Sequence, residues 1–271
     1  MDEKQIQPFQ LPFHPSLKVD FQGSPVSKGS LQLIAEIGRQ ISPESASLRA
    51  WSDGYISGHA GRLAFDLDLV RRYARAEDRV LDVGSVPPVL SGALKQLGYD
   101  VQGVDIAPER FESSFARLNV PVAKCDIEVD KLPFPDGSFS VVIFNELFEH
   151  LRINPIFTMR EIFRVTRSGG ILLLSTPNLK SLKGITNFLV HGKAYSCCEH
   201  VFDEYEKLSR LGHMGHVREY TAREVCEFLS RIGFRVQKCV YRGGYGAHLQ
   251  SLFANLIIQL KPFVTVVAVR P

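Results

Sequence analysis

Acids and amides recur in this 271-residue chain, each just behind a short apolar run. Asp82 and Gly84 close the run that begins at residue 79, and Asp105 follows residues 101–104. Asp126 follows 121–125, Asn145 follows 141–144, and Thr176-Pro177-Asn178 follows 171–174. A buried strand that ends in a polar residue delivers that side chain to its tip, where open α/β sheets bind ligands. The chemistry such a row supports is nucleoside recognition. A carboxylate can accept from both hydroxyls of a ribose, and Asp105 has the placement for it. Asp126 can accept from an adenine amino group while the Ile127 N–H faces a ring nitrogen. Gly84 lets the backbone approach a ligand closely. Any one of these acids alone could merely cap the following helix; the series carries the reading.

A second set of residues could move protons. Eight histidines are present: His14, His59, His150, His191, His200, His213, His216 and His248. Imidazole is the side chain best matched to taking a proton near neutral pH. His150 stands directly behind the fourth predicted strand, in NELFEHL (145–151), and His213 and His216 stand in GHMGHVREYT (212–221). Either could instead be structural, His150 packing under a loop and His216 tying a turn to the next helix. Cys197, Cys198, His200, His213 and His216 lack the two-residue gap of a zinc site. Glu146, Glu149 and Asp203 do not by themselves make a magnesium cluster. No metal is expected.

These residues need elements to hold them. The first 29 or so residues, with Pro8, Pro12, Pro15 and Pro25, read as an extended lead-in. Ile34, Ile37 and Ile41 then mark a helix, and Leu63, Leu67 and Val70 mark a second over residues 58–74. From Arg79 the pattern alternates. Strands are predicted at 79–83, 101–104, 121–125, 141–144 and 171–174, with helices between them. Asn154-Pro155 starts one helix, and Thr221 with Glu224 forms a capping box for another. Strands at 234–241 and 263–269 complete the set. Short β–α alternation implies a doubly wound α/β fold, with a mostly parallel sheet covered by helices on both faces. The interval 176–219 breaks the rhythm and is aromatic, so it reads as a lid insert over a bound acceptor.

Composition narrows the alternatives. Hydrophobic residues make up 45% and charged residues 23%, an ordinary globular balance. The net charge of +3 is spread along the chain, and no basic run suggests nucleic acid. Residues 252–269 are apolar, but Lys261 and Pro262 interrupt them, so no membrane span is expected. The polar start MDEKQIQPFQ does not read as a secretory signal. Five cysteines without a spaced framework suggest reduced thiols and a cytoplasmic setting. The apolar faces of 31–41 and 252–260 are candidate homodimer surfaces.

The series resembles the class I S-adenosylmethionine-dependent methyltransferases. VLDVGSVPPVLSGALKQLGY (80–99) resembles their first motif, and QGVDIAPERF (102–111) their ribose-binding segment. KCDIEVDKLPFPDGSFSVVIFNELFEHL (124–151) resembles the adenine-contact strand end and the fourth-strand motif, and RSGGILLLSTPN (167–178) the fifth. The resemblance covers residues 80 to 270, and its specificity lies in the joint order and spacing. It implies a seven-stranded sheet with the last strand antiparallel, an N-terminal extension over 1–56 and the methyltransferase domain over 57–271. It implies cofactor contacts from Asp82, Gly84, Ser85, Asp105, Ile106, Asp126, Ile127 and Asn145. Catalytic histidines would be His150 and His216. GHVREYT (215–221) resembles a segment of glycan methyltransferases, which places His216, with Arg218 or Tyr220, at the rim of the acceptor pocket; Tyr195 and His213 are further acceptor candidates. The implied reaction is O-methylation of a sugar, glycan or sugar-lipid; a quinone-like or secondary-metabolite phenol is the alternative.

One departure stands out. The family's first loop reads Asp-x-Gly-x-Gly-x-Gly, whereas here the second and third glycines are Val86 and Pro88. Valine resists positive φ, and two prolines remove backbone donors. A cofactor-binding relative without activity would also show such a loop. A nicotinamide-binding Rossmann domain fits less well. After Gly84 the next glycine is Gly92, and Asp82 would repel a pyrophosphate.

Overall fold

Residues 139–145, FSVVIFN, are apolar on both strand faces, and all but Asn145 are buried. Such a strand can persist only inside a sheet covered on both sides. The computed structural model of the chain, which describes residues 18–21, 26–211, 215–246 and 248–271, supplies both covers. In chain order it contains β1 (Lys18–Phe21), α1 (Lys28–Gln40), α2 (Arg49–Tyr73), β2 (Arg79–Val83), α3 (Val89–Gln96) and β3 (Asp100–Asp105). There follow α4 (Glu112–Arg117), β4 (Val122–Lys124), β5 (Phe139–Asn145), α5 (Pro155–Val165) and β6 (Thr166–Pro177). The chain ends with α6 (Leu182–His191), α7 (Val201–Leu211), α8 (Ala222–Ile232), β7 (Arg235–Arg242), α9 (His248–Leu256) and β8 (Phe263–Val269).

The strands form one sheet in the order β1-β7-β8-β6-β5-β2-β3-β4. Every neighbouring pair is parallel except those of β8, which runs antiparallel between β6 and β7. The expected fold and the reversed last strand are therefore present. An eighth strand adds to them: β1, in the predicted extended lead-in, pairs in parallel with the outer side of β7.

Side chains alternate between two cores, as a period of two requires. Val142, Phe144, Leu81, Leu172 and Val266 face α5 and α8, where Met159, Ile162, Val225 and Leu229 meet them. Val141, Ile143, Val80, Leu173 and Val267 face α1, α2 and α3, where Ile34, Ile37, Leu67, Val70 and Leu94 meet them. Each such side chain contributes about 1.5–3 kcal/mol by leaving water. Caps set where the helices begin. Ser27 caps α1 and Asn154 caps α5, while Thr221 and Glu224 close the capping box of α8.

Two expectations about organisation change. The boundary set between residues 56 and 57 falls inside α2, which is one continuous helix from Arg49. Ser27 and Ser30 at the start of α1 donate to Asp68 of α2, so both helices belong to the sheet's cover. The apolar stripe of α1, with Ile34, Ile37 and Ile41, is consumed by the core and offers no dimer face. On α9, by contrast, Leu252, Phe253 and Leu256 remain exposed. Helices α6 and α7 occupy much of the interval 176–219. Among the described residues no helix is long and apolar enough to cross a membrane.

Candidate active site

The sheet changes direction beside β2. One crossover leads from β2 to β3, and β5 lies on the other side. At such a switch point the carboxyl ends of the strands open a crevice. Here it is a cavity of about 860 Å³. Gly84, Asp105, Ile106, Asp126, Ile127 and Asn145 all line it, so four successive tips converge as their spacing suggested.

Asp105 is held by backbone. Its Oδ1 accepts from the Ala107 N–H at 2.9 Å and its Oδ2 from the Val86 N–H at 3.1 Å. Burial raises its pKa, and those two N–H groups act against the rise. A carboxylate has about four acceptor positions, so each oxygen keeps one for a ligand hydroxyl. Asp126 forms a turn, its Oδ1 accepting from the Glu128 N–H at 3.1 Å, which leaves Oδ2 uncommitted by that bond. Val104 and Leu151 supply apolar walls nearby.

Two of the expected cofactor residues do not reach the cavity. Asp82 is buried beneath it, and its carboxylate accepts from the Ser91 hydroxyl of α3. Burial pushes the Asp82 pKa up to about 7. Ser85 is also buried, and its Oγ lies against Gly103 of β3. Both support the loop from below.

The loop itself explains its missing glycines. Only Gly84 among residues 84–88 has a left-handed backbone, with φ of 72°. A Cβ there would come within 2.7 Å of Leu147. Val86 has no positive φ, so its branched side chain is tolerated. The backbone N–H groups of the loop are engaged within the protein. Gly84 and Ser85 donate to the Val104 carbonyl, Val86 to Asp105, and Val89 to the Pro87 carbonyl. Pro87 and Pro88 have no N–H to give.

The opposite wall comes from a helix whose sequence pattern concealed it. Trp51, Tyr55, His59, Arg62 and Phe65 of α2 line the cavity. The Arg62 guanidinium donates to the Tyr55 hydroxyl at 2.6 Å, and its Nε finds no partner among the described residues. Burial opposes its charge, but Tyr55, Glu146 and Asp66 outweigh that and hold it protonated. Arg242 at the end of β7 donates to Glu146 Oε1 at 2.7 Å, which also accepts from Ser175 at 2.8 Å. Glu146 has φ of 52°, a left-handed conformation that a side-chain-bearing residue keeps only when its surroundings enforce it. Behind them lies Asp66, buried, with no hydrogen-bond partner for either carboxylate oxygen among the described residues.

The third part of the site is imidazole and carboxylate. His150 and His216 both line the cavity, with their rings 4.8 Å apart, edge to face. His150 Nδ1 lies 3.0 Å from the Gly215 carbonyl, which only accepts, so Nδ1 carries the proton and Nε2 the lone pair. Burial, with His216 beside it, pushes the His150 pKa down to about 4. His216 is also desolvated, but Glu219 at 3.5 Å from its Nδ1 raises its pKa above the ordinary value. Glu149 lies between them, 1% exposed, its pKa raised by burial and by the charge of Glu146.

Three expected acceptor residues lie off the cavity. Tyr195 reaches the Val217 carbonyl with its hydroxyl, Arg218 pairs with Glu224 at 2.6 Å, and the Tyr220 ring packs on Phe148. His213 lies outside the described residues.

Comparison with known proteins fits this arrangement. A family model described as "Methyltransferase domain" matches residues 58–238. The chain belongs to this methyltransferase family. It is 35% identical over 112 residues to a ubiquinone biosynthesis O-methyltransferase of Xanthomonas campestris pv. campestris, covering 40% of this chain and 46% of that one. It is 36% identical over 103 residues to a 2-methyl-6-phytyl-1,4-hydroquinone methyltransferase of Synechocystis, covering 36% of this chain and 32% of that one. The match thus spans about half or less of these relatives' length. A SAM-dependent methyltransferase structure from Archaeoglobus fulgidus superposes with a TM-score of 0.54 at 18% identity, covering 79% of this chain and 97% of that one. That likeness concerns the fold.

The residues present suit S-adenosylmethionine. Asp105 matches its two ribose hydroxyls, and Asp126 with Ile127 matches its adenine edge. Its carboxylate cannot be met by the first loop, whose N–H groups are already engaged. Arg62, charged and facing the same cavity, matches that group.

Proposed function

We propose that the protein transfers a methyl group from S-adenosylmethionine to the hydroxyl oxygen of an aromatic acceptor, a phenol or catechol. One observation carries the reading: a single cavity joins Asp105 and Asp126 to the Glu149, His150 and His216 cluster. The bound cofactor supplies an activated methyl group on a positively charged sulfur. Positioning then does most of the work, since the displacement must be in line.

The chain's own residues orient the acceptor and accept its proton. Trp51, Tyr55, Phe65 and Phe263 present flat apolar surfaces in the cavity, suited to a planar ring. A hydroxyl attacks well only once its proton leaves, and the imidazole–carboxylate cluster is where that proton goes. His150 stays neutral at pH 7, with its Nε2 lone pair available. Segment 176–219 acts as a wall over this end through Pro177, Cys197 and His216. Quinone-related names among the relatives support an aromatic acceptor. The saccharide reading rested on the GHVREYT segment, of which His216 lines the cavity while Arg218 and Tyr220 lie off it, as does Tyr195.

The test is a transfer assay with methyl-labelled cofactor across catechols, simple phenols and free sugars. Label is expected on oxygen of a catechol or phenol. Transfer to a saccharide alone, or to nitrogen or carbon, would overturn the acceptor assignment.

A further inference from the structure

We propose that Glu149, His150 and His216 form a binding site for a divalent transition-metal ion at the acceptor end of the cavity. One carboxylate oxygen and two ring nitrogens, one from each residue, lie within 4.8 Å of one another. All three residues face the cavity. This is a carboxylate with two imidazoles on one wall, leaving the remaining positions of an ion open toward a ligand.

The surroundings are those of a prepared site. Glu149 is almost wholly buried, and its Oε2 accepts from the Thr176 hydroxyl at 2.9 Å. Its Oε1 finds no partner among the described residues. A buried carboxylate oxygen without a donor is costly, and a cation would satisfy it. Both imidazoles are anchored on their far side, as metal-ligating histidines are. His150 Nδ1 donates to the Gly215 carbonyl, leaving Nε2 for an ion. His216 Nδ1 faces the Glu219 carboxylate, which is itself fixed by the Ser196 and Cys197 N–H groups at 2.6 and 2.9 Å.

The two segments that carry the ligands are also tied together. The Val217 and Arg218 N–H groups donate to the Glu149 carbonyl, and the His216 N–H donates to Glu204 Oε2 at 2.9 Å. Two nitrogen ligands favour Co²⁺ or Zn²⁺ over Mg²⁺, Ca²⁺ or Mn²⁺, which prefer oxygen. A second grouping, Cys198, His216 and Glu219, shares His216. It is the weaker site, because both Glu219 oxygens already accept hydrogen bonds from Ser196 and Cys197.

The site contradicts the expectation of no metal. That expectation weighed cysteine and histidine spacing, whereas these ligands come from separate segments brought together by the fold. Its role rests on the reading above. An ion here takes the acceptor hydroxyl as a ligand and makes it more acidic. With the ion bound, His150 Nε2 is a ligand and no longer the proton acceptor: the O–H bond breaks, the electron pair stays on oxygen for the methyl transfer, and the proton passes to solvent instead of to the imidazole. Binding of the ion itself requires no acceptor.

Metal-stripped full-length protein titrated with Co²⁺ tests the site, read by visible absorption and calorimetry. One ion per chain is expected, without a thiolate charge-transfer band. Glu149→Gln and His216→Asn should abolish it, Cys198→Ser should retain it, and Glu219→Gln should weaken it roughly 10–100-fold, as loss of an outer-sphere partner does. Unchanged melting temperature and S-adenosylhomocysteine affinity show that each variant is folded. Absence of Co²⁺ binding while that affinity persists would overturn the metal site and leave the methyltransferase reading standing. A thiolate band that disappears in Cys198→Ser would also overturn it. Stoichiometric Co²⁺ without any S-adenosylhomocysteine binding would support the metal site and count against the proposed reaction.

Discussion

Single buried charges decide how this protein answers to pH and to its ligand. Burial raises the Asp66 pKa to about 6, against the pull of Arg242 and Arg62. A raised carboxylate pKa means that its contribution to stability is complete below the unfolded value, near 4, and is lost as pH rises through about 6. Asp66→Asn should therefore stabilise the protein at pH 8 relative to wild type by about 1–3 kcal/mol, and much less at pH 4. Urea denaturation at the two pH values measures this, and equal effects at both would refute it. Arg62 gives a second expectation. Arg62→Gln should weaken S-adenosylhomocysteine by about 1.5–3 kcal/mol, the scale of a charge-involving hydrogen bond. It should leave methylthioadenosine, which lacks the amino-acid part, unaffected. Equal losses for both ligands would remove Arg62 from the carboxylate. Asp105 and Asp126 were legible as strand tips. Arg62 was not, and Glu146 and Glu149 were considered only as an incomplete magnesium cluster, because their meaning depends on which distant segment faces them. Asp82 and Ser85 misled for the opposite reason. They sit at the right point in sequence, but Asp82 turns to Ser91 of α3 and Ser85 to Gly103 of β3, so neither side chain reaches the cavity.

The helices and strands explain where sequence patterns sufficed. Strands β2, β5 and β8 announced themselves because a strand buried on both faces needs a nearly continuous apolar run. Helix α8 was legible from its capping box. Thr221→Ala should cost about 1 kcal/mol of stability, read by thermal or urea unfolding; no loss would mean the box is not formed in solution. Helix α2 was read too short. Its first half faces the cavity rather than a core, so Trp51, Tyr55, His59 and Arg62 interrupt the stripe that Leu63, Leu67 and Val70 make plain. Leu67, wholly buried, tests whether the helix is integral. Leu67→Ala should destabilise the protein by about 2–5 kcal/mol. A chain begun at residue 57, which cuts α2 and removes α1, should fail to give a cooperative unfolding transition. A stable, cooperative fragment would restore the view of residues 1–56 as an appendage. Strand β1 was missed because four residues are too few to carry a periodic signal.

Across the whole molecule, the sheet's change of direction brings three unlike surfaces to one hollow. Acidic strand tips suit the nucleoside, and the Arg62, Glu146 and Arg242 charges and the Glu149, His150 and His216 cluster open onto the same cavity. The central claim is that the first of these surfaces holds an adenosyl group through Asp105. Calorimetric titration of the full-length chain with S-adenosylhomocysteine tests it most directly, beside the Asp105→Ala variant. The account expects one site per chain and an affinity about 10–100-fold lower in the variant, equivalent to the loss of a charged hydrogen bond. Absence of heat at millimolar ligand, or an affinity that Asp105→Ala leaves unchanged, would contradict it.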